Sequence, residues 1–487
     1  MRRGLLLTVG VVAGVTIGGK HVLLPAVQRL LGRSALPGPP PSFPRLPTPT
    51  ADPWDWFELT PDHRIHLFSP KVEVGQGVHT LFAHLAAEEL AFRLDQIEVH
   101  QPDTGRGVAA LVNVTAGSNS VRSSQLQLRQ AAASLGAVLR SRAAERWGCS
   151  AEEVTLKAGF CVRDGVPTQP IAYYELAPGR TRGPKTLKPS LSSPGSWTII
   201  GSSAPRVDLP GKVTGATVFG ADVRLPGMLY GAIARPPREG ATVATVTNIE
   251  LVRQLPGVMA VVHERGTVGV VAQRRRQAAA ALNQLNITWR GGAILSQTSL
   301  HTQVRARAGE GATIVDVGSV TRALGTRPSL SAEYRSHSCA PLPFESPVAT
   351  ADVHPESVTI YASNQSTHFV QANVAKALGL HVGAVRVVIA AVGGSFGRKH
   401  GAVADPAVEA ALLSRAVGQP VQVAYTMVED LRYGLKRPPS HSIFRASLGD
   451  AGNLVAIEHS VASAGASASF PPLDLVPRLT GVDWTGA

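Results

Sequence analysis

Alternation of apolar and polar residues marks the first elements of the chain. Ile65 and Leu67 alternate with polar neighbours and Val72 follows after a turn, so Phe57 to Glu73 predicts a short β hairpin. From His79 to Ala91, Leu81, Leu85 and Leu90 with Phe82 and Ala86 fall on one helical face. Ile97 and Val99 predict another strand. Leu126, Leu128, Ala132, Leu135, Leu139 and Ala143 predict a long helix from about Ser123 to Trp147, with Gly148 at its C′ position. A second region begins near Gly195. Strands are expected over Val213–Phe219, Met228–Ala234, Val258–Val262 and Val268–Ala272, with helices over 246–255 and 273–285. A third begins near Ser331, with strands over Thr350–Val353, Val358–Ala362 and Val385–Ala391 and helices over 366–378 and 405–416. This alternation argues for layered helices and sheets, and the expected class is α+β with mixed sheets. No short-period repeat is present.

Composition bounds the possibilities. A length of 487 residues allows two to four domains, and 44% hydrophobic against 17% charged residues argues for packed cores rather than disorder. A mean hydropathy of +0.08 excludes a polytopic membrane protein. The net charge of +13 would suit an anionic partner, but the excess is scattered Arg. Its only dense run is Arg274-Arg275-Arg276, so no nucleic-acid partner is expected. Cys149, Cys161 and Cys339 form no C-x-x-C motif, which excludes a disulfide scaffold. Iron–sulfur clusters take four thiolates, so such centres would have to sit on a partner.

Residues 1–24 read as an address. Arg2-Arg3 precedes an apolar stretch from Leu5 to Gly19, short for a spanning helix and suited to a signal-peptide core. The paired Arg suggests the twin-arginine route. An ordinary secretory signal and a retained anchor are the other readings. All three expect an exported or membrane-anchored protein on the periplasmic or extracytoplasmic face. Residues 25–56 contain ALPGPPPSFPRLPTPTADP and read as a stiff, Pro-rich linker.

Three loops could carry chemistry. The first is Glu73-Val74-Gly75-Gln76-Gly77-Val78-His79-Thr80, where Gly75 and Gly77 flank Gln76 before a helix. Glycine lets a ligand approach the backbone, and the helix offers unpaired N–H groups to an anion. Read structurally, it is a tight turn with a solvent-facing Gln. The second is Thr115 to Ser124, in which Ser118, Asn119 and Ser120 are either helix caps or donors to an anionic cofactor. The third follows Val385–Ala391 as Val392-Gly393-Gly394-Ser395-Phe396-Gly397-Arg398-Lys399. It fits neither nucleotide-binding spacing, and is either a cradle for a charged cofactor or a connector with solvated cations. It also satisfies G-x-S-x-G, but the next helix cap, Asp405, lies ten positions after Ser395, unlike a nucleophile elbow. No H-E-x-x-H or H-x-E…C-x-x-C occurs, which removes zinc hydrolases and deaminases.

Taken in order, EVGQGVHT, TAGSNSVRSS and AAVGGSFGRK resemble the molybdenum-binding large subunits of the xanthine dehydrogenase/aldehyde oxidase superfamily, the isoquinoline 1-oxidoreductase β-subunit type above all. Arg206 to Gly215, Leu225 to Tyr230 and Leu255 to Val258 resemble that family's a/b hammerhead domain. Glu409 to Arg415, Glu429 to Leu431 and Arg437-Pro438 extend the likeness over about residues 57 to 465. The resemblance implies a cofactor-binding module over 57–190, a hammerhead domain over 195–295 and a second cofactor-binding module over 331–487.

It also implies a molybdenum–pyranopterin cofactor, in bacteria usually the cytosine dinucleotide form. Gln76 would hydrogen-bond an oxygen ligand of the metal, Gly77 and the helix behind it would face the pterin, and Gly75 would also bind the cofactor. Ser118, Asn119 and Ser120 would bind its dithiolene or pterin side. Phe396 and Gly397 would place ring and backbone N–H near the metal's oxo group, with Gly394, Ser395 and Arg398 also binding the cofactor. The implied reaction hydroxylates an aldehyde or N-heterocycle carbon with oxygen from water, and a small two-cluster iron–sulfur subunit would accept the electrons.

Departures from the pattern set further expectations. Leu342 to Pro347 stands where the family has M-E-P, with Pro341 in place of the preceding His. The family's G-x-G-E general base is missing, so no catalytic residue and no protein metal ligand is assigned in this chain. It ends at Ala487, short of the family's length. The expectation is therefore a fragment, a truncated product or one half of a split subunit whose C-terminal half is separate. A membrane-tethered, non-enzymatic binding protein is the remaining reading.

Overall fold

A computed structural model describes residues 52–107, 115–177, 189–238, 240–264, 266–294, 296–306, 315–325, 328–400 and 405–463. The segment expected as a signal, residues 1–24, lies outside the described residues, as does 464–487. Among the described residues no helix is long and apolar enough to cross a membrane.

The described residues form an α+β fold around three apolar cores, the smallest of them Val252, Val261, Val268, Val270, Ala281 and Leu285. In the first, the sheet Phe57–Leu59, Ile65–Phe68, Ile97–His100 has one antiparallel and one parallel pairing. A second small sheet, Val154–Lys157, Phe160–Arg163, Ile171–Ala172, is antiparallel throughout. The helices Val78–Leu90 and Ser120–Trp147 pack along each other, burying Phe82, Ala86, Leu90, Leu128, Leu135 and Leu139 against both sheets. The apolar stripe read from the sequence is the buried face except at Leu126, which is 51% exposed near the start of the long helix. The long helix ends where expected, with Gly148 in the left-handed region at φ 64°.

The tether ends earlier than the expected 25–56. Pro53–Trp56 is a turn of helix, with Asp52 accepting from Trp54 N at 3.0 Å, and Trp56 is fully buried in the first core. Burying an indole outweighs the extended preference that its Pro-rich neighbours suggest.

The second core lies on a seven-stranded mixed sheet in the order Val385–Ile389, Val358–Ala362, Val348–Val353, Val421–Ala424, Leu229–Ile233, Thr267–Ala272, Val258–Glu264. Val385–Ile389 runs parallel to Val358–Ala362, and Val421–Ala424 parallel to Leu229–Ile233. The sheet thus takes strands from both the 195–295 and the 331–487 segments. Helices Thr367–Leu378 and Asp405–Val417 cover it. Two glycines allow the close approach: a Cβ at Gly231 would lie 2.3 Å from Leu413 Cδ1, and one at Gly269 3.0 Å from Leu413 Cδ2.

The expected strand Val213–Phe219 is not formed. Pro210 starts the short helix Leu209–Thr214, Gly215 ends it at φ 75°, and Val213 points to solvent. The expected helix 246–255 shrinks to Ile249–Arg253, because Thr242–Thr247 forms a strand paired with Asn286–Arg290. The alternating Thr and Val of that strand favour a half-exposed pleat.

Candidate cofactor site

The first glycine loop closes on itself. Glu73, only 5% exposed, turns its carboxylate onto the start of the helix Val78–Leu90. Its Oε1 accepts from Gly75 N at 2.8 Å and Gly77 N at 2.9 Å, and its Oε2 accepts from His79 N at 3.1 Å. A carboxylate here satisfies orphan donors and faces the positive end of the helix dipole. Gly77 caps the helix at φ 84°, which explains a glycine at that position. Gln76 is exposed, yet its amide is engaged within the loop. Oε1 accepts from Val74 N at 2.7 Å and Nε2 donates to Val72 O at 2.9 Å. Arg206 ties the loop to the following segment. It donates to Gly75 O at 2.9 Å and pairs with Glu73 and with Asp208, whose carboxyl its hydrogen bonds hold below the usual range. Behind the loop, burial pushes the His79 imidazole down to about 4.

The second loop starts its helix without an N-cap side-chain bond. Gly117 and Ser118 both have positive φ, at 62° and 54°. Asn119 sits at the N-cap of Ser120–Trp147 without a capping side-chain bond; its Oδ1 accepts from Arg122 instead. Ser120 begins the helix. The capping role weighed for these residues is therefore not played by Asn119, and the 28-residue helix starts without a hydrogen bond from its N-cap side chain.

In the third loop, Gly394, Phe396 and Gly397 have φ values of 86°, 53° and 87°. Among the described residues, the backbone N–H groups of Gly394, Ser395, Phe396 and Gly397 have no acceptor. Successive free N–H groups in such a turn form a concavity for anionic oxygen. The Phe396 ring lies over Gly394 and is 72% exposed. The side chains beneath are committed inward. Ser395 is buried and donates to Gln365 Oε1. Arg398, 1% exposed, pairs with Asp430 and lies 5.4 Å from the Tyr425 ring. Lys399, 2% exposed, donates to Glu345 Oε2 at 2.7 Å and to Ser363 Oγ at 2.9 Å. Burial pulls its pKa below the ordinary value, against the opposing pull of Glu345. Glu345 also accepts from Gly393 N at 3.0 Å and Ala221 N at 3.2 Å. A Cβ at Gly393 would sit 2.5 Å from the Glu345 Cβ, so this contact needs glycine. The cations of this loop are thus internal struts, and Ser395 is no exposed nucleophile.

One hydrogen-bonded chain joins the three loops. Gln76 holds Val72 O, and Val72 N donates to Thr115 Oγ1 at 2.8 Å. Thr115 N donates to Gln365 O at 2.9 Å, while Gln365 Nε2 donates back to Thr115 O. Gln365 Oε1 takes the Ser395 hydroxyl, and Ser395 Oγ accepts from Lys399 N at 3.1 Å. Residues far apart in sequence meet at buried Thr115 and Gln365. Sequence reading missed Glu73, Gln365 and Lys399 as organisers. The one local signal was an acidic residue five positions before a helix.

Comparison with known proteins gives this geometry a context. Residues 45–224 and 302–481 each match a molybdopterin cofactor-binding domain family. Over 386 residues the chain is 30% identical to a nicotinate dehydrogenase subunit of Pseudomonas putida, covering 77% of this chain and 32% of that protein. It is 27% identical to the β-subunit of isoquinoline 1-oxidoreductase of Brevundimonas diminuta, covering 84% and 58%. A solved structure, quinoline 2-oxidoreductase from Pseudomonas putida 86, aligns with a TM-score of 0.43 at 20% identity, covering 53% of this chain and 38% of that one. The chain spans about a third and under three fifths of the length of these two curated relatives.

Proposed function

Because the chain belongs to the xanthine dehydrogenase/aldehyde oxidase superfamily as a molybdopterin-binding subunit, we propose that it is the cofactor-holding part of an oxidoreductase that hydroxylates aldehydes or N-heterocycles with oxygen from water. The observation that carries this reading is the convergence of three loops on Thr115 and Gln365, with four N–H groups at Gly394–Gly397 that have no acceptor among the described residues. The residues fit an anionic cofactor. Gly394, Ser395, Phe396 and Gly397 offer backbone donors, and Ser118, Asn119 and Ser120 stand at a helix start that the Asn119 side chain does not cap. Arg122 in that first turn adds a positive charge suited to the phosphates of a cytosine dinucleotide form. Gly75, Gln76 and Gly77 form a rigid wall whose amide is positioned by Val72 and Val74. Arg398 acts through Asp430, by fixing the loop. When bound, the molybdenum pterin supplies the redox chemistry, and the chain's residues bind and orient it.

No G-x-G-E motif occurs among these 487 residues, so none of them is proposed as the general base, and a two-cluster iron–sulfur subunit would take the electrons. An exported or membrane-anchored location follows from residues 1–24, by the twin-arginine route if the cofactor is inserted first. A test co-expresses this chain with a polypeptide carrying the family's G-x-G-E segment and an iron–sulfur subunit. Molybdenum and pterin content are measured together with turnover of an aldehyde and an N-heterocycle. Stoichiometric molybdenum with turnover is expected. A complex without molybdenum or pterin would contradict the reading.

A further inference from the structure

A second group of side chains, outside the three loops, has the spacing of metal ligands. Strands Ile65–Phe68 and Ile97–His100 run parallel, with His66 opposite Glu98 and Phe68 opposite His100. In-register partners share a sheet face, as do residues two apart on one strand. His66, Glu98 and His100 therefore project together, while Ile65, Leu67 and Ile97 enter the core from the other face.

The Glu98 carboxylate stands between the two imidazoles. Its Oε2 is 3.6 Å from His66 Nε2 and its Oε1 is 3.6 Å from His100 Nε2. The rings meet edge to face with centroids 4.6 Å apart. One ligand atom from each residue lies within 4.8 Å of the others, the one such group of three or more His, Cys, Asp or Glu among the described residues. With metal–ligand distances of about 2.0–2.2 Å, a tetrahedral ion spaces its ligands about 3.3–3.6 Å apart. Small side-chain rotations are enough to reach that.

Two further observations favour an ion over a plain polar patch. His100 Nε2, which faces Glu98, is shielded from water without a hydrogen-bond partner, a costly state for a ring nitrogen. On the far side of His66, Glu58 Oε2 lies 3.7 Å from Nδ1, where a carboxylate orients a metal-bound imidazole. Arg106 pairs with Glu58 and lies over the Phe68 ring at 4.4 Å, so its charge is answered by Glu58 rather than by Glu98.

We propose that His66, Glu98 and His100 bind a divalent first-row transition ion, zinc by the chemistry of two imidazoles and one carboxylate, leaving a fourth position for water. The ion would staple two parallel strands of the small sheet, independently of the molybdenum site. The test uses the full chain, stripped with EDTA and dialysed against micromolar zinc chloride, with metal measured by mass spectrometry. Cobalt chloride in place of zinc reads out tetrahedral coordination by its visible absorption. Wild type and the control His354→Ala should bind one equivalent and gain in thermal midpoint. Glu98→Gln, at a half-exposed position that spares folding, should bind at least tenfold more weakly, and His100→Ala should bind none. Undiminished affinity in Glu98→Gln, or no stoichiometric binding by wild type, would overturn the proposal.

Discussion

At the Glu73–His79 loop, the N–H groups of Val74, Gly75, Gly77 and His79 are all taken by side chains of the loop itself. At Gly394–Gly397, four successive N–H groups have no acceptor among the described residues. Both loops place glycines at positive φ, and both looked like anion cradles. The difference lies in where the carboxylate is. In the first, Glu73 occupies the place an external anion would take at the helix end. In the second, the carboxylate is Glu345. It sits behind the loop, paired with Lys399 and holding Gly393, so the N–H groups ahead remain open. A glycine-rich turn before a helix is thus a binding site only where the chain does not supply its own anion.

The contrast can be broken at the back of the open loop first. Glu345→Ala leaves buried Lys399 without its counterion and removes the acceptor of Gly393. Breaking one side of a buried pair costs about 3–5 kcal/mol. Urea denaturation should show that loss, and the molybdenum content of a co-expressed complex should fall with it. A loss below about 1 kcal/mol would mean that Glu345 does not organise the loop.

The closed loop has a pH signature. The buried His79 imidazole titrates near 4, below an ordinary value of 6.5, so the unfolded chain binds more protons between those limits. Its contribution is complete above pH 6.5 and is lost as pH falls towards 4. A shift of that size corresponds to about 3 kcal/mol. The urea midpoint should decline across that window, and His79→Leu should flatten the decline. An unchanged slope in the variant would remove His79 as its source.

Gln76→Ala removes two neutral hydrogen bonds inside the closed loop and should cost about 1–2 kcal/mol of stability. Read from the sequence, Gln76 has either a solvent-facing turn position or a hydrogen bond to the metal's oxygen ligand, and neither involves the loop's own backbone. Wild-type stability with lost molybdenum would restore the second of these. Phe396→Ala is the smallest change. Its ring is mostly exposed, so stability should stay within about 0.5 kcal/mol by thermal denaturation. A drop of several kcal/mol would mean that the ring is buried.

Much of the fold was legible because apolar period and burial agree. Thr367–Leu378 and Asp405–Val417 fall within a residue of their expected bounds, and Val358–Ala362 matches its own. Failures arose where local composition and tertiary packing disagree. Val213 and Val218 read as a strand but are exposed, and Pro210 and Gly215 decide that segment. Trp56 lay inside a Pro-rich stretch and belongs to the core. The loops were legible as motifs, but their internal wiring was not. That Gln365 joins Thr115 to Ser395, or that Arg398 and Lys399 turn inward, depends on contacts between distant segments that no local pattern encodes.

The central claim is that the open donors at Gly394–Gly397, and not the helix end behind Gly77, take the anionic cofactor. Amide hydrogen exchange of the co-expressed complex, compared with and without molybdenum cofactor, tests it directly. Peptides spanning Gly394–Gly397 should exchange fast in the cofactor-free form and become protected on loading. Peptides spanning Gly75–His79 should be protected in both. Protection gained at Gly75–His79, with none at Gly394–Gly397, would contradict the account.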